Sequence, residues 1–259
     1  ATISVTSISI FIFMTLFWIL SIILKKTSII DVAWGIGFIF VAFIAFFYNG
    51  NFYPRSLLVL TLVFLWGIRL AYYIFLRNKG KKEDFRYQRA KEKWGKAFWW
   101  KSYLLIFLLQ GFVMLIVTFS FQFTLTYTDN SIYLLDIIGF IIWLLGFYFE
   151  TKGDWELYVF KSNYQNKGRV LKSGLWSLTR HPNYFGESLM WWGVFIISLN
   201  INLGIITIIS PVAITFSLLK VSGVKMLENM YKDNFEYQEY IKNTPEFFPN
   251  LLSLLRKKN

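Results

Sequence analysis

The single histidine of this 259-residue chain, His181, lies between Arg180 and Pro182 in the stretch GLWSLTRHPNYFGESLMWWG, residues 174–193. Within a few residues this stretch passes from a cationic loop to an apolar helix, so it is a place where a polar ligand could meet a membrane. Pro182 has a fixed φ and no N–H to donate, which suits the first turn of a helix rather than its interior. A helix is therefore predicted to start near Pro182. Asn183 and Glu187 then fall four apart on one face with Tyr184 on the adjoining one, while Trp191 and Trp192 follow two turns later.

A second group lies upstream in GFYFETKGDWELYVFK. Glu150 and Asp154 are also four apart and share a face if the helix continues past the membrane surface. With Lys152, Lys161 and Arg169 they form either a plain ion-pair network or a ligand set. In the second case the carboxylates accept from ribose hydroxyls or an amide, and the cations meet phosphates. Neither GxGxxG nor GxxxxGK[ST] occurs, so a nucleotide site here is of neither Rossmann nor P-loop type. A third group is N-terminal. Asp31 is either a helix cap or an acid facing the interior, with Trp34 a turn on. Arg69 lies deep in an apolar run and needs a partner or water, with Asp31, Asp136, Glu150 or a bound anion as candidates. Tyr72 and Tyr73 follow it as possible proton donors. The chain has no cysteine, which excludes thiolate catalysis and cysteine-based metal centres, and one histidine makes a protein metal site improbable.

The elements that must position these groups are apolar. Hydrophobic residues make up 56% and charged residues 16% of the chain, and mean hydropathy is +0.47. That is more apolar surface than a soluble domain of this length needs. Runs long enough to cross hydrocarbon are predicted at about 3–24, 29–48, 56–76, 102–123, 132–150, 185–199 and 201–219. The expected fold is an all-α integral-membrane, seven-transmembrane helical bundle with cytosolic loops and a short C-terminal amphipathic helix carrying Leu227, Met230, Tyr231, Phe235 and Tyr240. Asn200, Asn202 and Gly204 leave open whether 185–219 is two spans or one bent element. The apolar N-terminus is read as the first span rather than a signal peptide, because its apolar stretch is long and no basic region precedes it.

With seven crossings, all but Arg55 and Arg69 of the 27 basic residues fall on one side of the membrane. The positive-inside rule makes that side, and the C-terminus, cytoplasmic. The formal charge of +12 is then a topology signal, and nucleic acid is not an expected partner. The 77–101 loop, with Trp94, Trp99 and Trp100, reads as a solvated loop docked to anionic headgroups or as a lid formed by Glu83, Asp84, Arg86 and Tyr87. Lys220, Lys225 and Glu228 lie near enough to the last helix exit to join a cytosolic site.

The blocks DVAWG, LWGIRLAYY, EDFRY, GFYFETKGDWEL, GLWSLTRHPNYFGESLMWWG, VSGVKMLE and EYIKNTPEFFP cover nearly the whole chain in order. In them the chain resembles bacterial integral-membrane proteins related to the steroid 5-alpha-reductases, NADPH-dependent enzymes that reduce a carbon–carbon double bond conjugated to a ketone. The resemblance implies one domain over 1–259, a seven-helix bundle in the inner membrane whose 132–259 half binds NADPH from the cytosol. It assigns cofactor contacts to Asp154, Lys161, Arg169, Asn183 and Glu187, with Tyr184 close by and Arg180 and His181 at the subgroup's RHP. The family's catalytic glutamate and tyrosine have Asp31 and Tyr72 as their nearest counterparts. An apolar lipid or steroid-like substrate would enter from the bilayer. RHPNY with a glutamate-containing tail is also similar to isoprenylcysteine carboxyl methyltransferases, which implies S-adenosylmethionine instead.

Overall fold

The computed structural model describes residues 1–221 and 223–250. Among them all regular structure is helical. Six helical segments are long and apolar enough to cross a membrane: Thr2–Ile23, Ile29–Asn49, Pro54–Asn78, Phe85–Tyr127, Leu134–Ser162 and Gly204–Met230. Large apolar side chains such as Ile8, Leu16, Phe47, Phe112, Leu145 and Phe216 stand exposed along them, as hydrocarbon as solvent permits. The chain divides into two compact units, Ala1–Asp136 with Ser198–Ser210, and Ile137–Ile197 with the described residues from Pro211 on.

The first unit contains α1 (Thr2–Ile23), α2 (Ile29–Asn49), α3 (Pro54–Asn78), α4 (Phe85–Trp94), α5 (Phe98–Ser102) and α6 (Leu109–Tyr127), the last two joined by the π-helical Tyr103–Leu108. The 77–101 region is thus largely helical rather than loop. Helices α2 and α3 meet backbone to backbone, since a Cβ on Gly35 would stand 2.4 Å from the carbonyl oxygen of Gly67. Small residues at such crossings replace the hydrophobic drive that lipid removes. Around them pack the buried rings of Phe38 and Trp66, 4.9 Å apart. Arg55, fully buried at the start of α3, donates to Asp136 (2.8 and 3.1 Å), Thr128 (3.1 Å), Asp129 (3.1 Å) and the Ser131 carbonyl (2.7 Å). Asp136, expected as a possible partner of Arg69, is therefore committed to Arg55.

The second unit is organised by α7 (Leu134–Ser162) and α8 (Pro182–Ser198), with α9 (Ile209–Phe216), α10 (Val224–Met230) and α11 (Phe235–Asn243). Glycines recur every seven residues on α7 at 139, 146 and 153, and on α8 at 186 and 193. Added Cβ atoms would lie 2.5 Å from the Gly193 oxygen at Gly139 and 2.6 Å from the Gly186 oxygen at Gly146. At Gly153 the nearest atoms, 3.2 Å away, belong to Pro182 and Asn183. The two helices therefore run antiparallel with their backbones in contact, and the register sets the start of α8 against the Gly153–Asp154 turn of α7.

The expected 185–219 region resolves into α8, a turn over 199–203 with Leu203 in left-handed backbone (φ 63°), and a helical stretch from Gly204. A single bent element is excluded. At 17 residues α8 is about 26 Å long, short of the ~30 Å hydrocarbon core. The expected C-terminal amphipathic helix is two short helices instead, α10 and α11, parted by a turn over 231–234. Tyr240 is buried as expected, whereas Phe235 is 86% exposed and Tyr237 takes its place in the core.

Candidate functional site

In the second unit the chain between α7 and α8 is held on the polar end of α7. The Trp176 indole donates to the Gly153 carbonyl (3.0 Å), and the Leu175 amide donates to Glu156 (2.9 Å). Gly174, at φ 62°, leaves the space that Glu156 occupies. These contacts deliver residues 176–183 beside α7. The Asn183 amide then donates to Asp154 Oδ1 at 3.0 Å, while its own Oδ1 is buried without a hydrogen-bond partner. Asp154 and Glu187 are both buried, 5% and 8% exposed.

Arg180 is 7% exposed and turned to the C-terminal segment. Its guanidinium meets Glu228 Oε1 through Nε (2.8 Å) and Nη2 (2.7 Å), and Nη1 donates to the carbonyls of Thr244 (2.8 Å) and Ile241 (3.2 Å). Its amide donates to Pro245 (2.9 Å), and Thr179 Oγ1 donates to Phe247 (2.9 Å). Most of its donors are spent on protein, so this expected cofactor ligand anchors residues 228–247 to the start of α8. His181 is 2% exposed, stacked on Tyr184 with ring centroids 5.5 Å apart. Its Nε2 stands 3.6 Å from Glu228 Oε1, and neither ring nitrogen has a hydrogen-bond partner.

These residues surround a cavity of about 90 Å³. Lys161, Arg169, Arg180 and His181 supply its polar lining. Leu157, Trp176, Leu227, Tyr231, Tyr237 and Tyr240 supply apolar and aromatic walls. Burial, reinforced by the nearby Glu228 carboxylate, pushes the Tyr237 hydroxyl up from its ordinary range; burial does the same to Tyr240, so both stay protonated. Lys161 at the end of α7 and Arg169 in the following connection are exposed, which puts mobile cations beside a buried imidazole. The sequence reading found every polar member of this group but missed Trp176, Glu156 and the tyrosines of α11. Those positions are set by tertiary contacts, and the aromatic spacing in the tail was the one signal available.

In the first unit Asp31 sits in the first turn of α2 and does not cap it. Its two oxygens accept from Tyr87 (2.6 Å) and from Arg86 (2.7 Å). Glu83 serves the helix start, accepting from the amides of Thr27 (2.7 Å) and Ser28 (2.9 Å) and pairing with Lys91 (2.9 Å). Burial alone would raise the Glu83 carboxyl, but those amides and the lysine hold it below the usual range. Asp84 caps α4 through the Arg86 amide and is likewise held low against burial by Arg86. The EDFRY segment is therefore folded onto the α1–α2 corner. Tyr72 is 64% exposed, apart from this group, whereas Tyr87 is 5% exposed within it. The Arg69 guanidinium lies over the Tyr73 ring, 5.9 Å from its centroid. Asp31, expected among its possible partners, is taken by Arg86 and Tyr87. Among the described residues no cluster of His, Cys, Asp or Glu could hold a metal ion.

The chain belongs to a family described as "Protein of unknown function (DUF1295)", whose profile matches residues 17–244. It is also similar to a probable O-methyltransferase, ustE, of Ustilaginoidea virens, with 48% identity over 46 residues, 18% of this chain and 16% of that protein. The chain thus matches about a sixth of the length of that curated relative. No solved structure matches it.

Proposed function

We propose that the protein is an NADPH-dependent membrane oxidoreductase that reduces a carbon–carbon double bond conjugated to a carbonyl in an apolar, steroid-like or other lipid substrate. The observation that carries the reading is the convergence of Lys161, Arg169 and His181 on one aromatic-walled cavity, beside the Asp154–Asn183 pair. Lys161 and Arg169 suit phosphate oxygens, and Tyr231 and Trp176 give apolar surface to a planar base. The buried, unpartnered Oδ1 of Asn183 suits a donor from outside the protein. Glu187 and Asp154 would accept from ribose hydroxyls or the carboxamide, with Tyr184 close by. When bound, the cofactor supplies the hydride. Charge accumulating on the substrate carbonyl needs a hydrogen-bond donor in a water-poor setting. Tyr87, oriented by Asp31, and Tyr72 are the proposed donors.

The topology that goes with this reading is seven crossings in a bacterial inner membrane, with the C-terminus and the cavity cytoplasmic. Contacts within the second unit support the count. The Val170 amide donates to Glu236 (3.2 Å), Lys172 pairs with Glu236 (3.2 Å), and Arg180 binds Glu228. Segments 169–180 and 228–236 thus share a side, which requires an even number of crossings between them. If the apolar stretch from Gly204 crosses, the short α8 crosses too.

A second reading, an S-adenosylmethionine-dependent membrane methyltransferase, is favoured by the 46-residue similarity to a protein named as an O-methyltransferase. Against it stands the charge of the cavity, because a sulfonium cation gains nothing from Lys161 and Arg169. Thermal unfolding in detergent with NADPH, NADH or S-adenosylmethionine separates the two. A ligand bound only by the folded state adds about 2.7 kcal/mol at 100 times its Kd. NADPH is expected to raise the midpoint of the wild type and not of Asn183→Ala. A shift with S-adenosylmethionine alone would overturn the reductase reading.

A further inference from the structure

We infer that His181 is a titrating ligand for the diphosphate of whatever nucleotide the cavity takes, so that binding carries a proton into the protein. The inference deepens the reading of the cavity as a nucleotide site and rests on it. Its ground is the state of the imidazole: 2% exposed, facing the cavity, and without a hydrogen-bond partner on either nitrogen. A buried polar ring left unpaired is costly, and a residue in that condition at a cavity wall is completed by what enters the cavity.

Charged groups face the ring from several elements. Arg180 precedes it, Glu228 approaches from α10, and Lys161 and Arg169 come from the end of α7 and the connection after it. The phenols of Tyr184, Tyr231, Tyr237 and Tyr240 complete its surroundings. Among these residue types only histidine changes charge between pH 5 and 8 without help. Glu228 already shares its Oε1 between two nitrogens of Arg180 and lies 3.6 Å from His181, so it does not fully satisfy a protonated ring. An incoming diphosphate would. Neutral His181 offers an anion one donor, whereas the cation offers two donors and a charge. Bound anion therefore favours the protonated ring, and by linkage the affinity for the anion falls as pH rises through the titration of His181.

The probe is ADP-ribose, whose diphosphate is a diester and does not itself titrate between pH 6 and 8. Its binding to the detergent-purified protein is followed by calorimetry in buffers of different ionisation heat. Wild type is expected to take up part of one proton per ligand and to bind about tenfold more weakly at pH 8 than at pH 6. His181→Gln should still bind, with no proton uptake and a flat profile. Lys161→Met should bind more weakly yet keep the pH slope, which controls for general loss of charge, and the folded state of each variant is checked by its unfolding midpoint. Proton uptake that survives in His181→Gln, a flat wild-type profile, or no ADP-ribose binding at all overturns the inference. Proton-linked binding of ADP-ribose in a protein that ignores NADPH would uphold it while removing the reductase.

Discussion

Asp31 and Glu83 show how the same residue type takes different work from its neighbours. Asp31 is placed where an acid would favour the start of α2, yet its oxygens go to Arg86 and Tyr87. The helix start is served from a distance by Glu83, which accepts two backbone amides. Because the folded Glu83 carboxyl titrates below its ordinary value, it contributes stability that is complete above the unfolded pKa, near 4.5, and is lost as pH falls through the folded one. Glu83→Gln should therefore lower stability at pH 7 by about 1–2 kcal/mol, since hydrogen bonds to a charged acceptor weaken. It should also flatten the loss of stability below pH 4.5. Unfolding midpoints of the two proteins between pH 3 and 7 check both. Curves that stay parallel through the acid range would mean that Glu83 is not the group responsible. At this scale the sequence was legible where a residue acts through its immediate neighbours, as with Asn183 and Asp154. It was not legible for Arg180, whose partners lie 48 to 64 positions away.

Helices α7 and α8 carry the clearest case of a pattern present in the sequence and without meaning until it has a partner. Gly139, Gly146 and Gly153 repeat every seven residues, and so do Gly186 and Gly193, but only the antiparallel register turns the two rows into one seam. The seam is what brings Asp154 and Asn183 within 3.0 Å. Gly186→Ala would place a methyl 2.4 Å from both the Gly146 oxygen and the Glu150 nitrogen, atoms of helical backbone that cannot step aside. Overpacking of this kind costs about 1–3 kcal/mol, and separation of the helices should also weaken nucleotide binding severalfold. Leu145→Ala, on the exposed face of α7, should do neither. Equal effects of the two substitutions on the unfolding midpoint and on stabilisation by NADPH would show that the seam does not set the site. The existence of most helices was legible from apolar runs alone. The division of the tail into α10 and α11 was not, because its stop at 231–234 lacks proline or glycine and follows from packing of Tyr237 and Tyr240.

At the scale of the molecule, charge and contact bear independently on the same topology. The charge asymmetry asks that the 77–101 region, the 152–180 segment and the tail share one side, and it was readable without any structure. The contact argument uses none of those charges as a count: Glu236 meets Val170 and Lys172, so the chain must return to its starting side between 180 and 228. What makes the case open to measurement is α8, whose 17 residues fall short of an ordinary span. A short span is accommodated by local thinning of the bilayer or by polar flanks reaching for the interface. Asn200 and Asn202, just past its end, provide such a flank. Since the chain has no cysteine, single cysteines report sidedness without background. In intact cells Ser131→Cys and Asn202→Cys should react with a membrane-impermeant maleimide, whereas Lys172→Cys and Asp233→Cys should react only after the membrane is opened. Protection of Asn202→Cys together with Lys172→Cys would mean that α8 turns back within the membrane. The shared side of 172 and 233 would then require that the apolar stretch from Gly204 also fails to cross, leaving five spans and a polar cavity built on a re-entrant pair.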